Sequence, residues 1–286
     1  MRHGTTRRPS ILRRESFMTA PKTLRASVLL EAAHEFADAA GAKIMPFFRK
    51  PHAVENKDAG RGFDPVTAAD KAAERTIRKA IRQRFPDHGI LGEEYADHDS
   101  DSRYRWVLDP IDGTRAFISG FPLWGTLIGV LEGDTPIVGL MDQPYTRERF
   151  WAAGGKTRMR SVDGKIRTLE TRTCAKLADA VMVSTAPDLF KTEAEQAAFA
   201  RVRAVTRMTR YGGDCYAYCM LAAGQIDLVV EAGLKAVDIV ALIPIIEQAG
   251  GRVTTWDGGS AIHGGQIIAA GDARTHAAAM KLLAGR

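Results

Sequence analysis

An apolar strand that ends in two carboxylates constrains the possible fold and function of this chain more than any other feature. Residues 106–114 read WVLDPIDGT. Pro110 has a fixed φ and no N–H to donate to a neighbouring strand, so the chain must turn there and Asp109 and Asp112 can face one place. Two adjacent carboxylates repel each other unless a cation neutralises them, and ligands that are all oxygen favour Mg²⁺ or Mn²⁺ over zinc. Taken alone, an ordinary polar turn capped by both Asp residues explains the segment equally well.

Further acidic positions favour the metal interpretation. Glu93 and Glu94 follow a short strand, Asp238 begins an apolar helix, and Asp70 stands at another helix start. Each has a plain alternative: a surface turn for Glu94, an N-cap for Asp238, and a capping box with Thr67 for Asp70. Together, in a chain with seven His and three Cys, they indicate a site for a hard metal ion.

Length and charge exclude several classes of protein. The 286 residues suffice for a substantial core, and three cysteines cannot all pair, which fits a reducing, cytoplasmic compartment. No apolar run reaches the length of a membrane span. Of the net charge of +6, residues 1–17 contribute +4. We therefore expect residues 1–20 to form a disordered basic tail, and we expect no nucleic-acid partner because the body lacks a basic stripe interleaved with aromatics.

Hydrophobic periodicity divides the body into two parts. The first part has helices over 24–48 and 67–85, a mobile loop over 51–65, and strands over 90–91, 106–108, 123–131 and 137–141. The second part alternates strands over 181–183, 227–230, 253–254 and 267–268 with helices over 193–203, 215–223, 237–249 and 273–283. We expect an α/β protein, with an α+β metal-binding lobe at 21–155 and an α/β substrate-specificity lobe at 156–286, joined through the Gly-rich segment 154–168.

Four segments together resemble the inositol monophosphatase superfamily. Residues 109–114 match its D-P-[IL]-D-G-T signature, 64–70 its D-x-V-T-x-x-D, and 92–94 its G-E-E. The pair Val237-Asp238 resembles its W-D, with Val in place of the usual Trp. The resemblance runs from about Leu24 onward and implies a layered αβαβα sandwich of the inositol monophosphatase and fructose-1,6-bisphosphatase type. It also implies a Mg²⁺-dependent, lithium-sensitive phosphatase of small phosphate esters.

The resemblance implies ligands for two to three Mg²⁺ ions, with Mn²⁺ as a possible substitute and Li⁺ as an expected inhibitor. Glu93, Asp109 and the carbonyl of Ile111 would hold the first ion. Asp109, Asp112 and Asp238 would hold the second, and a third, weaker ion could share Glu93.

The same resemblance implies the catalytic groups. Thr114 and Glu93 would orient or deprotonate the attacking water, and Asp70 would accept a hydrogen bond from Thr114. Backbone N–H groups of Gly113 and Thr114 would bind the phosphate. Lys57 would close over the phosphate, although a solvated loop lysine is nearly as good an interpretation.

Two acidic residues of the second lobe bear on the substrate. Glu231 aligns with the residue that contacts the leaving group in this superfamily, and inositol-specific members carry a small residue where Asp214 stands. An acidic pocket suits an alcohol that carries an amine or imidazole, although Asp214 could also serve as a helix N-cap. Segments 114–126, 213–218 and 241–247 resemble the histidinol-phosphate phosphatase branch, as does 234–238 except that Ala236-Val237 replaces the usual Pro-Tyr.

The expected reaction is therefore hydrolysis of L-histidinol phosphate to L-histidinol and phosphate, a step of histidine biosynthesis. The alternatives are inositol 1-phosphate or a 3′-phosphoadenosine nucleotide as substrate, a metal-binding regulator without activity, or a nucleic-acid-binding protein that uses the tail. Trp124 could contact the substrate or lie in the core. The resemblance also implies a homodimer that binds a small phosphate ester. We expect no membrane partner.

Overall fold

The computed structural model describes Met1 and residues 24–51, 54–56 and 65–285. Most of the predicted tail and Lys57 lie outside these residues. The described helices are α1 (Ala26–Ile44), α2 (Ala68–Arg84), α3 (Thr114–Ile118), α4 (Glu193–Val205), α5 (Asp214–Ala222), α6 (Ala236–Ile239), α7 (Leu242–Glu247) and α8 (Ala273–Leu283). The described strands are β1 (Val54–Asn56), β2 (Pro65–Thr67), β3 (Gly89–Gly92), β4 (Tyr104–Asp112), β5 (Gly125–Glu132), β6 (Thr135–Gln143), β7 (Glu148–Ala153), β8 (Thr157–Arg160), β9 (Ile166–Thr168), β10 (Val181–Ser184), β11 (Met208–Tyr211), β12 (Leu228–Leu234), β13 (Arg252–Thr255) and β14 (Gly265–Ala270).

The first sheet has seven strands in the order β3-β4-β5-β6-β7-β8-β9. Only β3 and β4 are parallel among these neighbours. Helices α1 and α2 cover one face, because each has an apolar stripe at helical spacing, such as Ile77 and Ile81 of α2. The predicted capping box at the start of α2 is confirmed: Thr67 accepts from the N–H of Ala69, and Asp70 accepts from the N–H of Thr67.

The second sheet has five strands in the order β11-β10-β12-β14-β13. Helices α4 and α8 pack on its outer face. Helices α5, α6 and α7 lie between the two sheets and share one apolar core with both. The layers are therefore helix, sheet, helix, sheet, helix, which confirms the predicted αβαβα sandwich.

Two glycines of the first sheet allow the middle helices to approach closely. Gly129 of β5 and Gly139 of β6 are direct cross-strand neighbours. A Cβ at Gly129 would lie 2.9 Å from Val240 Cγ1, and a Cβ at Gly139 would overlap the carbonyl oxygen of Ala241. The absence of side chains at these two positions thus lets α6 and α7 pack directly on the sheet.

Several predicted boundaries differ from the structure. The predicted loop 51–65 contains β1, which pairs with β2. The predicted helix 237–249 is divided into α6 and α7, since Pro244 is tolerated only in the first turn of a helix. Strand β11 was missed because it is short and largely exposed.

The segment predicted to join the lobes instead extends the first sheet. Strands β8 and β9 add to β7 by antiparallel pairing, so this sheet continues past the predicted boundary between residues 155 and 156. Among the described residues, no helix is long and apolar enough to cross a membrane.

Candidate metal centre

A β-bulge in β4 brings its two carboxylates together. Asp109 pairs with Leu127 of β5 and Asp112 with Gly125, so three steps along β4 match two along β5. In a regular strand, residues three apart point to opposite faces. The extra residue of the bulge removes that alternation, and Asp109 and Asp112 share one face. The bulge is fixed locally, because the N–H of Ile111 donates to Asp109 Oδ1 (3.0 Å).

Three carboxylates meet at this bulge. Asp109, Asp112 and Asp238 each offer an oxygen, and these oxygens lie within 4.8 Å of one another. Asp109 is buried and the other two are half-buried. Asp238 lies in the first turn of α6, where its Oδ2 accepts from the N–H of Lys235 (2.7 Å). Asp238 is therefore the third residue of this helix, and the N-cap residue is Lys235.

Burial first, and then mutual repulsion, disfavours the ionised form of these three carboxylates. Burial raises the pKa of Asp109 well above its ordinary value, and the charges of Glu93, Asp112 and Asp238 raise it further. Burial, followed by the charges of Asp214 and Asp238, does the same to the pKa of Asp112. Burial is also the main cause that raises the pKa of Asp238 to about 7. A divalent cation would remove this repulsion, so the oxygen-only donor set fits Mg²⁺ or Mn²⁺.

Glu93 stands beside this cluster and contacts a lysine that sequence reasoning missed. Its carboxylate raises the pKa of both Asp109 and Asp238, which places its charge close to theirs. Lys235 Nζ donates to Glu93 Oε1 (3.1 Å). Lys235 lies three residues before Asp238, within segment 234–238, which resembles the histidinol-phosphate phosphatase branch. That position was the only sequence feature that could have pointed to this lysine.

The turn after the bulge begins a short helix, α3. Gly113 takes a left-handed φ of 82° and precedes the first residue of α3. The hydroxyl of Thr114 donates to the carbonyl of Ile111 (3.1 Å). Its acceptor is therefore different from the expected Asp70, whose Oδ2 accepts from the N–H and the hydroxyl of Thr67.

Asp214 of α5 faces this turn. It is the first residue of α5, since Gly213 takes the N-cap position, and it has a left-handed φ of 44°. A Cβ added to Gly113 would lie 3.1 Å from Asp214 Cβ and Cγ. Burial, followed by the nearby charge of Glu231, raises the pKa of Asp214 to about 7, and the charge of Arg115 opposes this.

Glu231 lies on β12 and is held by two hydrogen bonds. The N–H of Thr185 donates to its Oε1 (2.8 Å), and the hydroxyl of Tyr218 donates to its Oε2 (2.8 Å). Burial raises the pKa of Glu231 although both bonds favour the charged form. Neither partner was predicted. The only sequence feature that could have placed Tyr218 near the site is its position one helical turn after Asp214.

One cleft of about 130 Å³ joins the metal-ligating and the acidic residues. Its lining includes Asp112, Asp238, Asp214 and Glu231. Trp124 does not line it. Its side chain is fully buried between Phe48 and Phe117, so the core interpretation of this residue is confirmed.

Comparison with known proteins agrees with this geometry. The model of the inositol monophosphatase family matches residues 25–285. The chain is 43% identical over 259 residues to the bifunctional phosphatase IMPL2, chloroplastic, of Arabidopsis thaliana, covering 86% of this chain and 72% of that protein. It is 33% identical over 213 residues to a histidinol-phosphatase of Mycobacterium tuberculosis, covering 74% of this chain and 82% of that protein. A solved structure of an inositol monophosphatase from Zymomonas mobilis superposes with a TM-score of 0.80 at 39% identity, covering 92% of this chain and all of that chain.

Proposed function

The chain belongs to the inositol monophosphatase family of phosphatases, and we propose that it hydrolyses L-histidinol phosphate to L-histidinol and phosphate. One observation carries the proposal: Asp214 and Glu231 line the same cleft as the metal-ligating carboxylates. A phosphate held at the metal centre would direct its alcohol group toward these two acids. L-Histidinol carries an ammonium group and an imidazole, whose N–H donors match carboxylate acceptors. The related histidinol-phosphatase of Mycobacterium tuberculosis supports this choice.

Glu231 and Asp214 differ in side-chain position and in ionisation, and both properties affect how they bind a cationic substrate. Glu231 is fixed in position by Thr185 and Tyr218, so little side-chain entropy is lost when a ligand binds. Asp214 has a pKa of about 7, so it exchanges a proton near neutral pH and a bound cation would stabilise its ionised form. Both groups would repel a second phosphate, which disfavours a 3′-phosphoadenosine nucleotide.

We assign Glu93, Asp109, Asp112, Asp238 and the carbonyl of Ile111 as the ligands of the catalytic Mg²⁺. The bound metal supplies Lewis-acid activation of water and neutralises charge on the transferred phosphoryl group. We also propose that the protein is a homodimer and is located in the cytoplasm.

The remaining steps are carried out by groups of the chain. The N–H groups of Gly113 and Thr114 orient the phosphate oxygens. The Thr114 hydroxyl, oriented by the carbonyl of Ile111, positions the attacking water, and a carboxylate oxygen of Glu93 takes its proton. The water oxygen forms a bond to phosphorus as the bond from phosphorus to the alcohol oxygen breaks, and the alcohol oxygen takes a proton from solvent and leaves as L-histidinol past Asp214 and Glu231.

The test is a comparison of kcat/KM with Mg²⁺ for L-histidinol phosphate, inositol 1-phosphate and 3′-phosphoadenosine 5′-phosphate. We expect a preference for L-histidinol phosphate of about 100-fold or more, because the other two leave buried carboxylates without donors of matching charge. Equal rates, or a preference for inositol 1-phosphate, would refute the substrate assignment and leave the metal assignment in place.

A second candidate, inositol monophosphate, is favoured by the structural likeness to the Zymomonas mobilis enzyme. The same panel decides between the two substrates.

A further inference from the structure

A buried carboxylate outside the acidic cluster contacts the segment that carries Glu93. Glu74 lies in α2, one turn after Asp70, and its side chain is fully buried. Arg78 Nε donates to Glu74 Oε1 (2.7 Å), and the N–H of Glu94 donates to Glu74 Oε2 (2.8 Å). Each carboxylate oxygen therefore has a donor, and one of the two donors belongs to the residue that follows Glu93.

The residue before Glu93 is held by close contact. A Cβ at Gly92 would overlap Glu74 Oε1 and would lie 2.7 Å from Glu74 Cδ and from Arg78 Nη2. The backbone at position 92 therefore runs directly over the Glu74–Arg78 ion pair, and a side chain there would displace that pair. The positions before and after Glu93 are both fixed against the same pair of side chains.

Arg78 extends this hold to the next residue. Its Nη2 donates to the carbonyl of Tyr95 (2.9 Å). The ring of Tyr95 is in turn fixed to the helix, because Arg75 Nη1 donates to its hydroxyl (3.0 Å) and that hydroxyl donates to the carbonyl of Lys71 (3.2 Å). The segment around Glu93 is thus attached to α2 by backbone and side-chain contacts along its length.

Stability is a poor explanation for this arrangement. A buried ion pair is often no more stabilising than apolar residues of similar volume, because its desolvation offsets the attraction. What the pair provides is a fixed backbone beneath Glu93, whose side chain is left to face Asp109 and Asp238. We propose that Glu74 and Arg78 are positioning residues that set the affinity of the acidic cluster for divalent cations. This rests on the proposed metal-binding role of Glu93.

The chain offers a closely matched control. Asp227 is also a buried carboxylate whose two oxygens accept from an arginine and from a backbone N–H. Arg172 Nε donates to its Oδ1 (2.7 Å), and the N–H of Val181 donates to its Oδ2 (2.7 Å). It stands just before β12 of the second sheet, whereas Glu93 follows β3 of the first sheet. Asp227→Asn therefore removes the same kind of interaction away from the segment that carries Glu93.

The experiment titrates Mn²⁺ into metal-stripped, full-length protein by calorimetry and measures the thermal midpoint of each variant. We expect Glu74→Gln to weaken Mn²⁺ binding by about 10-fold or more, since partners that orient metal ligands have effects of this size. Asp227→Asn should lower the thermal midpoint and leave the Mn²⁺ affinity unchanged.

Unchanged Mn²⁺ affinity in Glu74→Gln, or equal weakening in both variants, would overturn the proposal. If Glu74→Gln does not fold, Arg78→Lys tests the proposal instead. This variant keeps the positive charge but loses the hydrogen bond to the carbonyl of Tyr95. It should weaken Mn²⁺ binding measurably, and wild-type affinity in this variant would refute the positioning role. If the wild-type protein binds no Mn²⁺, the metal role itself fails, which is distinguishable from a failure confined to the variants.

Discussion

Asp214→Asn tests the acidic pocket with little disturbance of the backbone. Asp214 has a left-handed φ of 44°, a region that Asn tolerates and that strains most other residues. The substitution keeps the size of a side chain that lies close to Gly113. It removes the negative charge alone, so a change in activity reports the charge and not the fold.

The size of the effect follows from the position of the carboxylate. Asp214 is half-buried in the cleft, and a hydrogen bond between charged groups contributes about 1.5–3 kcal/mol. Since about 1.4 kcal/mol corresponds to a tenfold change, kcat/KM for L-histidinol phosphate should fall by about 10- to 150-fold. An uncharged aryl phosphate, which makes no such bond, should be hydrolysed at the wild-type rate.

The assay measures phosphate release from both substrates at saturating Mg²⁺. Tyr216→Phe is the matched control on the same helix, because its hydroxyl donates to Glu148 and not into the cleft. It should leave both substrates unaffected. An equal loss for both substrates in Asp214→Asn would show that the residue acts through the metal centre, and an unchanged kcat/KM for L-histidinol phosphate would remove it from substrate recognition.

Three further predictions address the metal centre and the packing beneath it. Asp109→Asn should lower kcat by about 100-fold or more with an unchanged circular dichroism spectrum, and a folded variant of near wild-type activity would refute the metal assignment. The metal-free protein should lose stability as the pH rises from about 4 to about 7, measured by thermal melts in EDTA. The pKa values of Asp214 and Asp238 are raised from 3.8 to about 7, so in this range the folded state holds protons that the unfolded state has released. Added Mg²⁺ should reduce this loss, and a flat profile without metal would contradict the burial of these groups. Gly139→Ala should destabilise the fold by about 1–3 kcal/mol in urea unfolding, since its Cβ would overlap the carbonyl of Ala241; an unchanged midpoint would show that α7 can move away.

The layers and the acidic residues of the site were predictable because their signals are local. Apolar periodicity identified most helices and strands, and the two carboxylates are visible in the sequence. The turn predicted at Pro110 is instead a bulge within β4, which continues to Asp112. The side on which those carboxylates point was not available from periodicity, because it depends on a bulge that only the pairing with β5 reveals.

The supporting residues could not be found in this way. Glu74 and Arg78 are four apart on a helix, a spacing that normally indicates a solvated surface pair, and only the tertiary fold buries them. The contact from Thr185 to Glu231 joins residues 46 apart in the chain, and no local pattern signals such a bond.

Fold and site are linked through the glycines of the first sheet. Asp109 and Asp112 belong to β4, whereas Asp238 belongs to α6 in the middle layer, so the distance between them depends on how deeply that layer docks. Docking depth is set by Gly129 and Gly139, since a side chain at either position would meet the chain at Val240 or Ala241, two and three residues beyond Asp238. Oxygen ligands of a small cation such as Mg²⁺ must converge within narrow limits. We therefore infer that the two glycines, although they touch no ligand, contribute to metal binding by fixing the separation of carboxylates that come from different layers.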